Sequence, residues 1–339
     1  MRAVVPLFAL ALACSEPSVE LPPASPAARG DAPAELAGDA RRFLEDLARQ
    51  LVRPRNGRPR PETTERLDHT LRVVAGGPGT GRASAALEAW VFEAWTEVSG
   101  GRAPNAADTV LLLHGLGDSK ASMAGLARRL QSRGMRAVAV DLRGHGRSEG
   151  DHIGYGAFEA PDLSQVLDAL AAEGRGPGKV GVYAASYGAH VAAQLAARDA
   201  RVDRVVAVGA YRSLRATVPE FVALRYPERA GLAEQEIQRA VTAAAGLAGF
   251  DAAEASAERW LSAPEAGPAR VLFVHGAEDE VVPIAHAERL AGACGAPCRL
   301  LRLEGKDHLG SMHGPVLRAA LLAWLEGRWD DVPEGAATE

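Results

Sequence analysis

From Thr109 onward, short apolar runs recur with stretches of helical spacing between them, and several of the runs carry no polar alternation. A strand with water on one face alternates apolar and polar residues. A strand covered by helices on both faces does not. The runs lie near Thr109 to His114, Arg136 to Leu142, Lys179 to Ala185, Val205 to Gly209, Val271 to His275 and Arg299 to Leu303. Helix-like stretches fall around Ala121 to Arg133, Ala160 to Glu173, Tyr187 to Arg198, Ile284 to Gly292 and Pro315 to Arg328. This alternation predicts an α/β chain with a mostly parallel, doubly wound sheet. Aromatic residues are only 5% of the 339, so Ala, Val and Leu must fill the space between helices and sheet.

Two more strand-like runs, Thr70 to Val74 and Leu87 to Glu93, flank Gly76-Gly77-Pro78-Gly79-Thr80-Gly81 and predict an antiparallel edge hairpin. That glycine segment lacks the Lys-Ser/Thr ending of a phosphate-binding loop, so a hairpin turn is the reading taken. Between Tyr211 and Ala263 the alternation is interrupted by helical spacing such as Val218, Phe221 and Val222. This predicts a small helical lid with Phe221, Leu224, Tyr226 and Trp260 as candidate walls of a substrate pocket. Lys plus Arg number 38 against 43 for Asp plus Glu, a net charge of −5, which leaves no overall basic field for nucleic acid.

At the N-terminus, Arg2 is followed by eleven uncharged, mostly apolar residues before Cys14. Eleven residues are too few to span a bilayer, which takes about 20, and the pattern is that of an export signal over residues 1–13. Leu10-Ala11-Leu12-Ala13-Cys14 resembles the lipobox of bacterial lipoproteins, which implies cleavage before Cys14 and its acylation; a simple cleaved signal and an upstream mis-start are the alternatives. Residues 14–34 are too poor in large apolar side chains to build a core and are expected to be a disordered tether. Within 35–68, Leu36, Phe43, Leu44, Leu47 and Leu51 predict an amphipathic helix to Val52, followed by an Arg/Pro-rich loop with four arginines between Arg53 and Arg60. That loop could meet anionic headgroups or simply be solvated.

Val182-Tyr183-Ala184-Ala185-Ser186-Tyr187-Gly188 sets a serine between a buried strand and a small-residue helix. This is the context of the nucleophile elbow, Gly-x-Ser-x-Gly, with Ala184 in place of the first glycine. Val110 to Gly117 and Val138 to Ser148 each run from a strand into a glycine-rich loop containing His-Gly. With these segments the chain strongly resembles the α/β-hydrolase family over roughly Thr70 to Arg328, and a domain of that fold is expected over 69–328, with the lid at 211–263 and a tail at 329–339. The resemblance implies an oxyanion hole from the backbone N–H groups of Leu116 and Tyr187. It also implies an acid and a base in the order serine, acid, histidine. Val271-Leu272-Phe273-Val274-His275-Gly276-Ala277-Glu278-Asp279 offers Asp279 as the acid, with Glu278 and Glu280 as its nearest rivals, and Leu303-Glu304-Gly305-Lys306-Asp307-His308 offers His308 as the base. His114, His145 and His190 are expected to serve structure rather than chemistry.

The function these residues imply is hydrolysis of a carboxylic ester or related small-molecule acyl substrate through an acyl-enzyme, with no cofactor or metal. A peptidase or amidase on the same scaffold, and a surface lipoprotein that keeps the triad without turnover, are the alternatives. If Cys14 is acylated, Cys294 and Cys298 remain as an even pair in an exported chain, where disulfides persist. The turn between them is tight enough to predict a bridge.

Overall fold

The computed structural model describes residues 34–55, 67–98, 101–104, 108–263, 265–267, 269–295, 297–333 and 335–338. The export signal, Cys14 and most of the tether therefore lie outside the described residues. Among the described residues no helix is long and apolar enough to cross a membrane.

The first element is helix α1 (Ala34–Val52), followed by the hairpin β1 (His69–Gly77) and β2 (Arg82–Phe92), which pair antiparallel with the glycine segment at their turn. A second small hairpin, β3 (Trp95–Val98) and β4 (Gly101–Pro104), has no counterpart in the sequence reading. The alternating region then supplies β5 (Thr109–Leu113), α2 (Ala124–Gln131), β6 (Arg136–Val140), α3 (Glu159–Ala172), β7 (Val180–Ala185), α4 (Tyr187–Arg198) and β8 (Val202–Val208). After the inserted helices α5 (Leu214–Arg225), α6 (Glu234–Ala248) and α7 (Ala257–Leu261) come β9 (Arg270–Gly276), α8 (Ala285–Cys294), β10 (Cys298–Leu303) and α9 (Pro315–Leu325). A short β11 (Gly335–Ala337) pairs parallel with β10, so the segment read as a tail adds a ninth strand to the sheet.

The strand order is β1-β2-β6-β5-β7-β8-β9-β10-β11. All neighbours from β6 to β11 are parallel, and β2 joins β6 antiparallel. Side chains divide between two cores: Leu111 and Leu113 face the layer of α3, α4 and α8, while Val110 and Leu112 face α2 and α9. The chain winds from β5 to β6 on one side and then returns to place β7 on the other. At such a switch point the loops leaving the carboxyl ends of β5 and β7 diverge and open a crevice.

The insertion does not stand apart from this core. Leu214, Val218, Val222, Ile237, Val241 and Leu261 are buried in the same cluster as the helices around Ser186. Helix α1 is docked as well: Leu44, Leu47, Ala48 and Leu51 are buried, Asp39 pairs with Arg229 at 2.5 Å, and Phe43 meets Tyr226 edge-on at 5.1 Å. Its last turn is capped by the Tyr155 hydroxyl, which donates to the Leu51 carbonyl at 2.7 Å, and by the Arg55 guanidinium, which donates to the Gln50 carbonyl. Arg55 is thus tied to the helix. Residues 56–66 of the Arg/Pro-rich loop lie outside the described residues.

Candidate active site

Ser186 occupies the single residue between β7 and α4, with φ 51° and ψ −112°. A non-glycine residue held at positive φ costs on the order of 1 kcal/mol or more and persists only where its surroundings enforce it. Here the enforcement is visible on both sides. The Ser186 N–H donates to the Val208 carbonyl of β8 at 2.8 Å, and the next residues enter α4, in which every residue from Tyr187 to Ala197 is buried. Ala184 fits within the fully buried end of β7, so the elbow forms without its first glycine. Gly188 has no such latitude, because a Cβ there would lie 2.6 Å from the His114 carbonyl oxygen.

His308 comes from the loop after β10, and Asp279 from the loop after β9. The two loops are joined: the Ala277 N–H donates to the Leu303 carbonyl and the Glu278 N–H to the Lys306 carbonyl, each at 2.9 Å. A Cβ at Gly276 would collide with that same Lys306 carbonyl, so only glycine lets the loops close. Held this way, His308 Nε2 lies 3.0 Å from Ser186 Oγ, and His308 Nδ1 lies 2.6 Å from Asp279 Oδ2. All three side chains are buried or nearly so, which keeps water from competing for these bonds. Glu278 and Glu280, the rival acids, are exposed.

The Asp279 carboxylate has lost solvent, which acts to raise its pKa. Hydrogen bonds from His275 and His308, with the backbone N–H of Val282, outweigh that and bring it down to about 2. It is therefore an anion wherever the site could work. His275 escaped the sequence reading; its place after Val271-Leu272-Phe273-Val274 on a fully buried strand was the available signal.

Around the serine, the His114 ring accepts the Leu142 N–H at Nε2 (3.1 Å), so its Nδ1 carries the proton and donates to the Gly115 carbonyl at 2.8 Å. The Asp118 N–H donates to that carbonyl too. Because the peptide is planar and trans, fixing the Gly115 carbonyl toward His114 turns the Leu116 N–H the opposite way. A Cβ at Gly115 would come into van der Waals contact with the Ser186 Cβ, 3.7 Å away. Tyr187 is the first residue of α4, where an N–H has no partner within the helix. Its hydroxyl donates to Glu159 Oε1 at 2.7 Å, and Glu159 also accepts the Gly154 and Gly156 N–H groups.

His145 and His190 are both buried. Burial, with His114 nearby, pushes His145 down to about 3, and its ring sits between His114 and Tyr187. Burial likewise brings His190 down to about 4; it is stacked on Tyr211 and bonded to the Tyr211 carbonyl. Among the proposed pocket walls, Phe221 and Tyr226 meet edge-on at 6.4 Å, and Leu224 is largely exposed. Trp260 lies against α4. Its indole N–H donates to the Glu254 carbonyl and its ring lies against Arg198 at the last turn of α4, whose Cα is roughly 18 Å along the helix from Ser186. The start of α7 is tied to the segment that leaves β8, the Glu258 N–H donating to the Arg212 carbonyl at 3.1 Å. Among the described residues, no three His, Cys, Asp or Glu side chains gather as a metal site. Cys294 and Cys298 are bridged, with Cα atoms 5.8 Å apart.

Residues 104–235 match the family described as serine aminopeptidase, S33. A protein of Escherichia coli O157:H7 described as uncharacterized protein YfhR is 23% identical over 251 residues, 73% of this chain and 78% of its own. Among solved structures, the Pyrococcus furiosus esterase Pf2001 superposes with a TM-score of 0.58 at 16% identity, covering 84% of this chain and 99% of that one. A Mycobacterium tuberculosis puromycin-hydrolyzing peptidase superposes with a TM-score of 0.56 at 18% identity, over 80% of this chain and 40% of that one. The chain has the α/β-hydrolase fold.

Proposed function

We propose that the protein is a serine hydrolase that cleaves a carboxylic ester or related acyl substrate through an acyl-enzyme. The observation that carries this reading is the relay from Ser186 Oγ to His308 Nε2 at 3.0 Å and from His308 Nδ1 to Asp279 at 2.6 Å, built on a strained elbow. Serine is a weak nucleophile at its free pKa, so His308 takes its proton as Oγ attacks the acyl carbon. Asp279 keeps the ring in the tautomer that can accept that proton and stabilises the imidazolium. The backbone N–H groups of Leu116 and Tyr187 receive the oxyanion. His308 then returns the proton to the leaving group, and water repeats the cycle in reverse to release the acid.

A fluorophosphonate probe tests the reading directly: wild type should be labelled on Ser186 and the Ser186→Ala protein should not. An unlabelled, folded wild type would leave a surface protein that keeps the residues without turnover. The match to a serine aminopeptidase family and to a peptidase structure supports an amide leaving group as the second reading. Parallel assays on short acyl esters and aminoacyl amides separate the two. Phe221, Leu224 and Tyr226 of the insertion would then set acyl-chain preference, which substitutions there should alter more than activity on the smallest ester. As to location, we read residues 1–13 as an export signal and Cys14 as the acylated residue of a membrane-anchored protein. Cys14→Ala should release the protein from the membrane fraction.

A further inference from the structure

His275 is the sixth of the seven residues of β9, and its side chain is completely buried. An imidazole in a strand of Val, Leu and Phe loses its hydration and needs hydrogen bonds in return. Its Nε2 has two acceptors within reach, the Val282 carbonyl oxygen at 2.7 Å and Asp279 Oδ2 at 3.2 Å. Both are acceptors only, so the proton belongs on Nε2. Val282 closes the arrangement from the other side, its N–H donating to Asp279 Oδ1 at 2.8 Å beside the Val281 N–H at 3.0 Å. The turn from Asp279 to Val282 is thereby fastened at both its carboxylate oxygens and at its last carbonyl, with His275 gripping two of these three points.

We propose that His275 is a positioning residue of the site, one whose Nε2–H holds the Asp279 carboxylate in the plane from which Oδ2 accepts the His308 Nδ1–H. The proposal rests on the serine-hydrolase reading and goes beyond it by giving the acid its own support. His275 acts through Asp279 rather than on the substrate. The titratable groups that meet Asp279 are His275 from β9 and His308 from the loop after β10. Its neighbours Glu278 and Glu280 are exposed, and Arg302, which faces His275 in the β9/β10 register, is paired with Glu304 at 2.7 Å. Without the Nε2–H, Oδ2 loses one of two donors and directs more of its charge to His308. The imidazolium is then held more strongly, and the ring that must point at Ser186 is less well aimed.

Three variants separate positioning from mere filling of space. In His275→Gln the amide nitrogen stands as many bonds from Cα as the imidazole Nε2 and can donate to the same two oxygens. His275→Met fills the site without a donor, and the shorter His275→Asn places its amide out of reach. Hydrolysis of a short acyl ester is measured across pH, with the rate of fluorophosphonate labelling as a second readout and thermal melting as the check on folding. Gln should stay within a few-fold of wild type. Met and Asn should lower kcat on the order of 10-fold or more, KM staying nearly constant, and should move the acid limb of kcat/KM to higher pH. A folded Met variant with the wild-type limb and kcat would overturn the proposal, as would a Gln variant as impaired as Met. Should Met fail to fold, the Gln and Asn pair decides by the same criteria. A wild-type protein that neither hydrolyses nor takes the label is a different result, one that removes the serine-hydrolase reading itself.

Discussion

Gly188 and the carbonyl oxygen of His114 leave no room between them for a side chain: a Cβ on residue 188 would stand 2.6 Å from that oxygen. The contact joins the start of α4 to the loop that leaves β5, the two segments proposed to supply the oxyanion-binding N–H groups. Gly188→Ala must therefore push the His114–Leu116 loop away from the serine. A misplacement of about 1 Å is enough to cost on the order of 10²-fold in rate. Ala184→Gly, at the position where the elbow pattern has its other glycine, should change activity only a few-fold. Ester hydrolysis by the two folded variants checks the contrast, and a Gly188→Ala enzyme as fast as wild type would contradict it.

The backbone of Ser186 yields a prediction in which stability and activity move in opposite directions. Ser186→Ala keeps the strained φ of 51° and removes the nucleophile, so turnover should fall on the order of 10⁶-fold with little change in melting temperature. Ser186→Gly removes the nucleophile and the steric penalty together. It should melt higher than Ser186→Ala, by the equivalent of about 1 kcal/mol. Equal melting temperatures would mean that the elbow stores no strain.

Three carboxylates lie close together in sequence at the acid position, and only one is turned inward. Asp279→Asn should lower kcat on the order of 10⁴-fold by favouring the wrong tautomer of His308. Glu278→Gln and Glu280→Gln, both at exposed positions, should stay near wild type. A crippled glutamate variant would move the acid to that residue.

Much of this site was legible in the chain, and the reasons differ by residue. Ser186 and Asp279 announce themselves because each follows a buried apolar strand, His308 because it closes the last strand of the alternating region, and glycines mark the sharp turns their loops require. The parallel sheet was legible because strands covered on both faces lose polar alternation. His275 was not, since a histidine inside an apolar run gives no sign of which oxygen it will meet; that depends on a turn four residues ahead folding back. The packing of the insertion was hidden for a related reason. Helical spacing tells which residues of an insertion face inward, but not which end of α4 the insertion packs against. The docking of α1 was also hidden, because its apolar stripe specifies a partner surface without naming it. β11 is only three residues long, too short for its period to show.

The depressed pKa of Asp279 fixes the shape of the acid limb. Its ordinary value is 3.8 and the site brings it to about 2, so the group is charged at every pH above that and gains a proton only as pH falls through about 2. Loss of activity on acidification should therefore reach a limiting slope of one in log kcat/KM, with no second proton taken up above about pH 3. A slope of two in that range would show that Asp279 titrates alongside its partner, contrary to the hydrogen bonds it receives from His275, His308 and Val282.

The disulfide joins the last residue of α8 to the first residue of β10, and β10 is the strand that leads to His308. Its closed loop is so short that cross-linking restrains little of the unfolded chain, about 2 kcal/mol by loop entropy. The register of β10 does not depend on the bridge, because six of its residues, Cys298 to Leu303, pair in parallel with Val271 to Gly276 of β9. Replacing both cysteines by alanine should therefore lower the melting temperature by a few degrees and leave kcat near wild type. Mass spectrometry of the non-reduced protein from an oxidising compartment should show the two cysteines linked within one peptide. Both thiols freely alkylated without reductant, or a double alanine variant that has lost its activity while still folded, would show that the bridge is absent or that it, rather than the sheet, aims His308.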